Sequence, residues 1–236
     1  MTSGLENTLK KLSLTMIKTI FSPFQEKVFR SISKNNFVCQ NFYFSGGTAL
    51  AEFYLHHRSS EDFDFFTVKE IAYLDLRIQL EKVFQRRKIK TVQYRQGLSS
   101  KIFFLEKSNT PPLKMEFNYF PFKTLKKGKK AGNLKIDSLL DIAVNKLHAI
   151  LTRGAARDFI DFYFIQKKEI YSLKFLLKQL KKKFIWQVDP LFLAGSFIKA
   201  RSLKDYPKIV APFSLKEFHS FFDHLAFDLK KTIVEK

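Results

Sequence analysis

The sequence predicts an α/β N-terminal half followed by an all-helical C-terminal half. In the first half, short aromatic and β-branched runs of strand length alternate with segments whose apolar residues recur at helical spacing. A basic stretch with little apolar content follows at residues 123–135, and beyond it only the helical spacing continues. The chain has 236 residues, enough for one substantial domain or two small ones.

The first predicted elements are helices that come before and between short strands. Apolar residues recur every four positions over residues 12–33, and Pro23 is expected to divide this stretch into two helices. Further helices are predicted over residues 49–57 and 71–85, and the apolar face of the second is predicted to be Leu74, Ile78, Leu80 and Phe84. The predicted strands cover residues 42–44, 63–68, 91–94, 101–105 and 113–120.

The second half is predicted to be helical from residue 138 onward. Ser138 and Ser214 each lie three positions before an acidic residue, which is the spacing of a capping box. The predicted helices cover residues 138–154, 156–167, 170–184, 190–203 and the segment after Ser214. Because residues 123–135 carry six lysines, we interpret them as an exposed loop or linker. The predicted domains are residues 1–135 and residues 136–236.

Cysteine content and hydropathy favour a cytoplasmic location. The single cysteine, Cys39, cannot form an intramolecular disulfide, as is usual in a reducing compartment. No stretch approaches the ~18 uncharged apolar residues of a membrane span. Residues 1–11 lack the basic-then-apolar order of a signal peptide. We therefore expect no membrane association.

The charge balance favours a polyanionic partner. The chain has 42 lysines and arginines against 22 acidic residues, which gives a formal net charge of +20. Each phosphate that such a surface neutralises releases condensed counterions, so nucleic acid is a reasonable partner. The alternative is that the lysines only keep the fold soluble, and charge alone does not separate the two interpretations.

Asp62 and Asp64 are the first candidates for a metal site. They lie two apart in a predicted strand, so their carboxylates share one face while Phe63 and Phe65 point into the core. Neighbouring carboxylates repel one another unless a cation bridges them, and hard oxygen ligands suit Mg²⁺ or Mn²⁺. In phosphoryl transfer such ions bind a triphosphate and stabilise the attacking and leaving oxygens. Taken alone, an Asp-x-Asp pair is also common in turns and on surfaces.

A pair of glycines strengthens the hypothesis of a phosphate site. Gly46 and Gly47 lie between a predicted strand and a predicted helix, where they let the backbone approach an anion closely. The hydroxyls of Ser45 and Thr48 are candidates for direct phosphate contacts. A plain strand-to-helix turn is the alternative interpretation. The segment is not a P-loop, because no lysine follows the glycines.

Glu116 is the candidate for a third carboxylate. In the strand predicted over residues 113–120, Met115 and Phe117 occupy one face, so Glu116 lies on the polar face with Lys114. If this strand lies beside the one that carries Asp64, Glu116 faces the same cleft. The alternative is an ordinary solvated strand face.

Two separated motifs resemble a known family. The first is FSGGTAL at residues 44–50, followed by HRSSEDFDFF at residues 57–66. The second is KLHAI at residues 146–150, then Arg153, then RDFID at residues 157–161. In content, order and separation they resemble the AbiEii/AbiGii toxin family, a bacterial branch of the polymerase-β-like nucleotidyltransferase superfamily linked to type IV toxin–antitoxin systems. The resemblance spans residues 42–164.

This resemblance implies a nucleotidyltransferase fold with a mixed sheet in the N-terminal domain. It implies that Ser45, Gly46 and Gly47 hold nucleotide phosphates and that Asp62 and Asp64 bind metal. It further implies that Lys146 lies near the triphosphate, and that Asp158 or Asp161 is another essential acid. Members of the family act as toxins with cognate antitoxins or in phage defence, and some add nucleotides to the 3′ ends of tRNA.

The residues of the second motif also make sense on physical grounds. Arg157 and Asp161 lie four apart on a predicted helix and are expected to pair, as in a structural network that fixes the helices on the sheet. Lys146, at the edge of a buried stripe, suits either a polyphosphate or a snorkelling surface position. Arg58 either neutralises bound triphosphate or pairs with Glu61.

The leading hypothesis is a Mg²⁺-dependent enzyme that transfers a nucleoside monophosphate from an NTP to an acceptor hydroxyl. The predicted metal ligands are Asp62, Asp64 and Glu116, and the predicted catalytic residues also include Lys146, Asp158 and Asp161. The predicted nucleotide-binding residues are Ser45, Gly46, Gly47, Thr48, Arg58, Ser60 and Arg157. The expected acceptor is tRNA or another RNA, with a protein side chain as the alternative. A non-catalytic nucleotide- or RNA-binding module and a metal-dependent phosphohydrolase are the rival functions.

Overall fold

A seven-stranded mixed sheet organises the N-terminal half. The computed structural model describes residues 19–106 and 112–234, so residues 12–18 of the first predicted helix lie outside it. The strands are β1 (Tyr43–Ser45), β2 (Phe63–Thr67), β3 (Thr91–Gln96), β4 (Ser100–Leu105), β5 (Leu113–Tyr119), β6 (Lys130–Ala131) and β7 (Leu134–Ile136). Their order in the sheet is β3-β4-β5-β2-β1-β7-β6. The β2–β5 and β1–β7 pairs are parallel and the others antiparallel.

Helices precede, interrupt and follow this sheet. In the first half they are α1 (Pro23–Ile32), α2 (Asn36–Asn41), α3 (Gly46–Leu50, continued by a π-helical turn at Ala51–Leu55) and α4 (Tyr73–Arg87). In the second half they are α5 (Leu139–Thr152), α6 (Ala156–Gln166), α7 (Leu173–Phe184), α8 (Pro190–Ile198, continued by a 3₁₀ turn at Lys199–Ser202) and α9 (Leu215–Val234). The predicted α/β half and helical half are therefore both present.

Alternation along β2 establishes the core and the site together. Phe63 and Phe65 are fully buried, while the residues between them face the opposite side of the sheet. The ring of Phe65 stacks on Phe117 of β5 at 4.8 Å, and Phe44 of β1 meets Phe63 edge-on at 5.6 Å. Much of the high phenylalanine content thus lies in an aromatic core beneath the strands.

A second aromatic cluster holds the helical half together. Phe159 and Phe162 of α6 contact Phe222 of α9, which also packs on Phe197 of α8. All four side chains are fully buried. This cluster fixes α6, which contributes acidic residues to the cleft described below. Within the described residues, no helix is both long enough and apolar enough to cross a bilayer.

The interpretation of residues 123–135 as an exposed loop or linker fits residues 123–129, which form no helix or strand, but is wrong for the end of the segment, which forms part of the sheet. A tight turn with Gly132 at φ +60° joins β6 to β7, and β7 pairs in parallel with β1. Leu134 and Ile136 are buried and Lys135 between them is exposed, which is strand alternation too short to recognise in a lysine-rich context. The predicted boundary between residues 135 and 136 falls inside β7, and the division into two domains stays a prediction.

Two local predictions also need correction. Helix α4 buries Leu76, Leu80 and Phe84, whereas Leu74 and Ile78 are 61% and 42% exposed. The true stripe is the four-residue repeat through Leu76, and the predicted face mixed two sides of the helix. At α5, Ser138 caps the helix by accepting from the backbone N–H of Asp141, but the Asp141 carboxylate is used elsewhere and does not complete a capping box.

Candidate active site

A cleft of about 1050 Å³ lies between one face of the sheet and helices α5 and α6. The sheet side is lined by alternate residues of β2 and β5, and the helical side by residues of α5 and of the start of α6. Residues 202–208 line a further part of the wall. Of the predicted site residues, the cleft is lined by Ser45, Gly46, Gly47, Arg58, Ser60, Asp62, Asp64, Glu116, Lys146, Arg157 and Asp158.

Three carboxylates meet on the sheet side of the cleft. Asp64 is in register with Glu116 on the parallel neighbour β5 and with Ser45 on the antiparallel neighbour β1. Asp62 lies two residues earlier on the same face of the chain. Burial, together with Glu116 and Asp62, raises the pKa of Asp64 to about 6. Burial and the nearby acids also raise the pKa of Asp62. The carboxylates therefore repel one another and favour a cation between them.

The donor chemistry of this group fits a hard divalent cation. Asp62 and Asp64 supply only oxygen ligands, which Mg²⁺ and Mn²⁺ prefer. The carboxylate of Glu116 forms an ion pair with Lys114, which diverts it from the other two. As the side chains stand, no three acids, histidines or cysteines among the described residues converge closely enough to enclose a metal ion. The structure therefore presents a two-carboxylate site with a third acid on the adjacent strand.

The two glycines leave room for side chains of the site itself. Gly46 has φ +80°, and a Cβ there would lie 2.5 Å from Oδ2 of Asp64. A Cβ on Gly47 would overlap Nη2 of Arg58. The glycines thus let Asp64 and Arg58 pack directly against the turn between β1 and α3, which gives the Gly-Gly pair a structural reason apart from any bound phosphate.

A fully buried acid on α6 gathers three cationic or potentially cationic side chains. Asp161 accepts from Nε and Nη2 of Arg58 at 2.6 and 3.0 Å, and lies 2.8 Å from Nε2 of His57. Nζ of Lys146 on α5 is 2.6 Å from its Oδ2. Burial alone would raise the pKa of Asp161, but Lys146 and Arg58 hold it well below its usual value. We call these four residues the Asp161 cluster.

Asp158, one turn earlier on α6, completes the ion-pair network. It accepts two bonds from Arg153, at 2.7 and 2.8 Å, and one from Lys146 at 2.9 Å. Burial would raise its pKa, and the pairs with Arg153 and Lys146 lower it instead. The predicted pair between Arg157 and Asp161 is wrong, because the buried face of α6 turns Asp161 toward Arg58 while Arg157 is exposed.

Arg157 is the cation in the cleft that remains available. It lines the cleft close enough to Asp62 and Asp64 to lower the pKa of both, and it has no ion pair among residues 19–106 and 112–234. Lys204 and Lys208 line the cleft from the 202–208 segment. The alternative pairing of Arg58 with Glu61 does not form, because Asp161 holds the Arg58 guanidinium.

The three predicted hydroxyl ligands differ in position. Ser45 donates its hydroxyl to Oδ2 of Asp137 at 2.7 Å and is almost fully buried. The Thr48 hydroxyl bonds with Ser60 Oγ at 2.6 Å and with the carbonyl of Asp62. Thr48 does not line the cleft, so within the described chain its hydroxyl supports the segment that carries the aspartates.

A segment near the start of α9 crosses the strand-like stretch that carries Arg58. The backbone N–H of Ser59 donates to the carbonyl of Lys208, and the N–H groups of Val210 and Ala211 donate to the carbonyl of His57. Arg58 and Ile209 form an isolated antiparallel bridge. The second half of the chain thus holds the glycine turn and its arginine from outside.

Residues that the sequence motifs did not single out also shape the site. Lys183 of α7 and Asp141 of α5 form a fully buried pair at 2.7 Å. Asp137 is buried beside Ser45, and burial together with Asp141 raises its pKa to about 7. Asn145 lines the cleft from α5, as does His148, which lies within the second motif but was given no role there. Lys183 lies on the apolar stripe of α7, seven residues after Leu176, and this position could have indicated from the sequence that the lysine is buried.

The chain is similar to known proteins. The model of a family described as “Nucleotidyl transferase AbiEii toxin, Type IV TA system” matches residues 30–231. An uncharacterized protein of Aquifex aeolicus (strain VF5), aq_aa25, is 35% identical over 151 residues, which is 62% of this chain and 68% of that protein.

Solved structures share the fold at low sequence identity. JHP933 from Helicobacter pylori has a TM-score of 0.52 at 22% identity, with 89% of this chain and 92% of that chain covered. The nucleotidyltransferase toxin MenT4, Rv2826c, from Mycobacterium tuberculosis H37Rv has a TM-score of 0.52 at 14% identity, with 87% and 83% covered. The predicted nucleotidyltransferase fold is therefore confirmed.

Proposed function

The chain belongs to the AbiEii family of nucleotidyltransferase toxins, and we propose that it transfers a nucleoside monophosphate from an NTP to a hydroxyl of RNA. The acceptor oxygen bonds to the α-phosphorus as the bond to the pyrophosphate oxygen breaks, and pyrophosphate leaves. The observation that carries this proposal is the carboxylate pair, Asp62 and Asp64, on the strand face of a cleft otherwise rich in cations.

We assign Asp62 and Asp64 as ligands of Mg²⁺ or Mn²⁺, with Glu116 on the adjacent strand as the third acid. When bound, such an ion neutralises triphosphate charge and stabilises the attacking and leaving oxygens. Burial and then repulsion from Glu116 and Asp62 raise the pKa of Asp64, and this supports the assignment, because a bound cation relieves the repulsion. Glu116 must leave Lys114 in order to join the other two carboxylates.

The cations of the helical wall are assigned to the triphosphate. Arg157 lines the cleft, forms no ion pair within the described part of the chain, and is the first candidate. Lys146 and Arg58 keep their ion pairs and present charge from fixed positions, which suits preorganised electrostatic stabilisation. Ser45, Ser60 and the backbone of Gly46 and Gly47 form the opposite edge of the proposed phosphate site, and Thr48 supports it from behind.

Asp158 and Asp161 are proposed as positioning residues. Their pKa values are lowered by the cations they hold, and a carboxylate with a lowered pKa is a weak base. Each fixes Lys146 from a different side, and Asp161 also fixes Arg58. We therefore assign the uptake of the acceptor proton to Glu116 and not to either of these residues.

RNA, most readily tRNA, is the proposed acceptor because of the charge of the protein. The net charge of +20 and the lysines that line the cleft, Lys114, Lys204 and Lys208, favour a polyanion over a neutral or cationic substrate. Membership in a type IV toxin–antitoxin family supports a cognate antitoxin protein as a further partner. NTP and tRNA both occur in the cytoplasm, and we propose that location for the protein.

The direct test is incubation with each α-labelled NTP, Mg²⁺ and total tRNA, followed by analysis of RNA 3′ ends. We expect label on RNA with the wild type and roughly 1,000-fold less with Asp64→Asn, since metal-based charge stabilisation is worth several kcal/mol. Asp228→Asn, an exposed acid on α9, is the matched control and should retain full activity.

Each outcome of this assay has a distinct meaning. Equal labelling by wild type and Asp64→Asn would refute the metal assignment. Release of free phosphate without extended RNA would replace transfer by hydrolysis. Label on protein instead of RNA would keep the transferase assignment and overturn the proposed acceptor.

A further inference from the structure

One end of the cleft is lined by aromatic rings that are only partly buried. Phe66, Phe120, His148 and Phe184, here called the aromatic end, all line the cleft. The His148 and Phe184 rings stack at 4.1 Å, and Phe120 lies 6.1 Å from Phe184 and 5.6 Å from Phe66. On the opposite face of β2 and β5, Phe63, Phe65 and Phe117 are buried, whereas these rings are partly exposed in the cleft, which indicates a binding surface.

The change from charged to aromatic occurs along both strands. On β2 the cleft face runs from Asp62 and Asp64 to Phe66. On β5 and the residue beyond it, the face runs from Glu116 to Phe120. Two residues advance a strand by about 6.6 Å, so Phe66 lies one such step beyond Asp64 and Phe120 two such steps beyond Glu116. The cleft is therefore charged at one end and aromatic at the other, as a nucleotide is.

Helix α5 divides in the same way. Lys146 and Arg153, seven positions apart, both pair with Asp158 at the charged end. Asn145 and His148, three positions apart, lie on a neighbouring stripe, and His148 stacks on Phe184. Burial and the nearby Lys183 lower the pKa of His148, which favours the uncharged ring.

Asn145 supplies an unused hydrogen-bonding group beside these rings. The residue lines the cleft, and its Oδ1 is buried with no hydrogen-bond partner among the described residues. A buried polar atom without a partner destabilises the fold, so this one calls for an explanation. Rotation of the amide presents either a donor or an acceptor to the cleft, the combination that pairs with the edge of a base.

We propose that the aromatic end binds a nucleobase, which packs against His148 and Phe184 and is hydrogen-bonded by Asn145. This subsite determines which base the enzyme selects, and the inference rests on the proposed nucleotidyl transfer in the same cleft. Two sources supply such a base: the incoming NTP and the 3′-terminal nucleotide of the acceptor RNA. Both present the same aromatic face and polar edge, and binding measurements separate them.

The test measures the Kd of each NTP and of tripolyphosphate, which has no base, without acceptor. The variants are His148→Ala, Phe184→Leu and Asn145→Ala, and Phe175→Ala on the same helix as Phe184 is the matched control outside the cleft. We expect NTP affinity to fall by about 5- to 100-fold in the ring variants, since stacking on one aromatic residue contributes this much. Tripolyphosphate affinity should stay constant, which also shows that the variants are folded.

A second arm measures the Kd of a short RNA with a normal or an abasic 3′ terminus. Weaker binding of the normal terminus alone, with unchanged NTP affinity, assigns the base to the acceptor. Unchanged affinity for NTPs and for RNA in all three variants overturns the proposal. A variant that loses tripolyphosphate binding is treated as misfolded, and the NTP affinities of the other two variants then test the proposal. Base-dependent binding without transfer of label refutes the proposed function and leaves this subsite standing.

Discussion

Removal of the buried charge of Asp161 tests whether the Asp161 cluster stabilises the folded protein. The substitution Asp161→Asn keeps the shape of the side chain and removes the charge that Arg58 and Lys146 share at 2.6 Å. Arg58, which is 4% exposed, then keeps no ion pair with any acid that the structure describes. Breaking a buried ion pair by removal of one partner costs about 3–5 kcal/mol, and we expect that loss in the free energy of unfolding.

Urea denaturation at fixed pH and salt is the assay, with Asp223→Asn as the matched control. Asp223 pairs with Arg201 at 2.5 Å, but the two side chains are 33% and 62% exposed, so this loss should be below about 1 kcal/mol. Because the pKa of Asp161 is depressed, its contribution is present at neutral pH. It is lost as the pH falls from the unfolded-state value through the folded-state value.

The result that would refute this reasoning is a loss in Asp161→Asn no larger than in Asp223→Asn. A second measurement separates positioning from stability alone. If Asp161 positions Lys146 and Arg58, NTP affinity of the folded variant should also fall by about tenfold, the effect of one charge-assisted hydrogen bond. Lost stability with unchanged NTP affinity would leave only a structural role.

Three further predictions concern Gly47, Asp137 and Arg157, with Gly195 as the control for Gly47. Gly47→Ala should lower the free energy of unfolding by about 1–3 kcal/mol, because a Cβ overlaps the Arg58 guanidinium. Gly195→Ala in α8, where nothing lies within 4 Å, should be neutral or stabilising by up to about 1 kcal/mol. The pKa of Asp137 is raised to about 7, so between pH 4 and pH 7 the folded state binds more protons than the unfolded state, and the free energy of unfolding falls as the pH rises. Asp137→Asn should remove this fall. Arg157→Ala should weaken NTP binding by about tenfold without changing the urea midpoint, since the side chain is exposed.

Each of these has a contradicting result. Equal urea midpoints for Gly47→Ala and wild type would show that the Arg58 side chain can move aside without a loss of stability. An unchanged pH profile in Asp137→Asn would show that another group carries the slope. For Arg157→Ala the matched control is Arg86→Ala on the exposed side of α4, and equal NTP affinity of the two variants would remove Arg157 from the phosphate site.

Local patterns predicted the parts of the site that lie close together in the chain. Strand alternation placed Asp62 and Asp64 on the face opposite Phe63 and Phe65, and both carboxylates line the cleft while both rings are buried. Helical spacing located α5 and α6. The alignment of Ser45, Asp64 and Glu116 across three strands could be predicted only conditionally, because it depends on which strands become neighbours.

Long-range pairs could not be deduced in this way. Arg58 and Asp161 are 103 positions apart, and nearby Glu61 and Arg157 offered plausible local partners for each. Burial decided between them: Asp161 lies on the face of α6 that packs inward, where a charge is stable only with partners. The pair of Asp141 and Lys183 follows the same rule across 42 positions.

The packing of Gly46 and Gly47 against Asp64 and Arg58 has a consequence for how this family is read across genomes. Both glycines accommodate side chains of the folded protein, so a descendant that no longer catalysed any reaction would still require them. Asp62 and Asp64, in contrast, repel each other and lower the stability of a protein that no longer catalyses a reaction. We therefore expect an inactive relative to keep the Gly-Gly pair and to lose the aspartates.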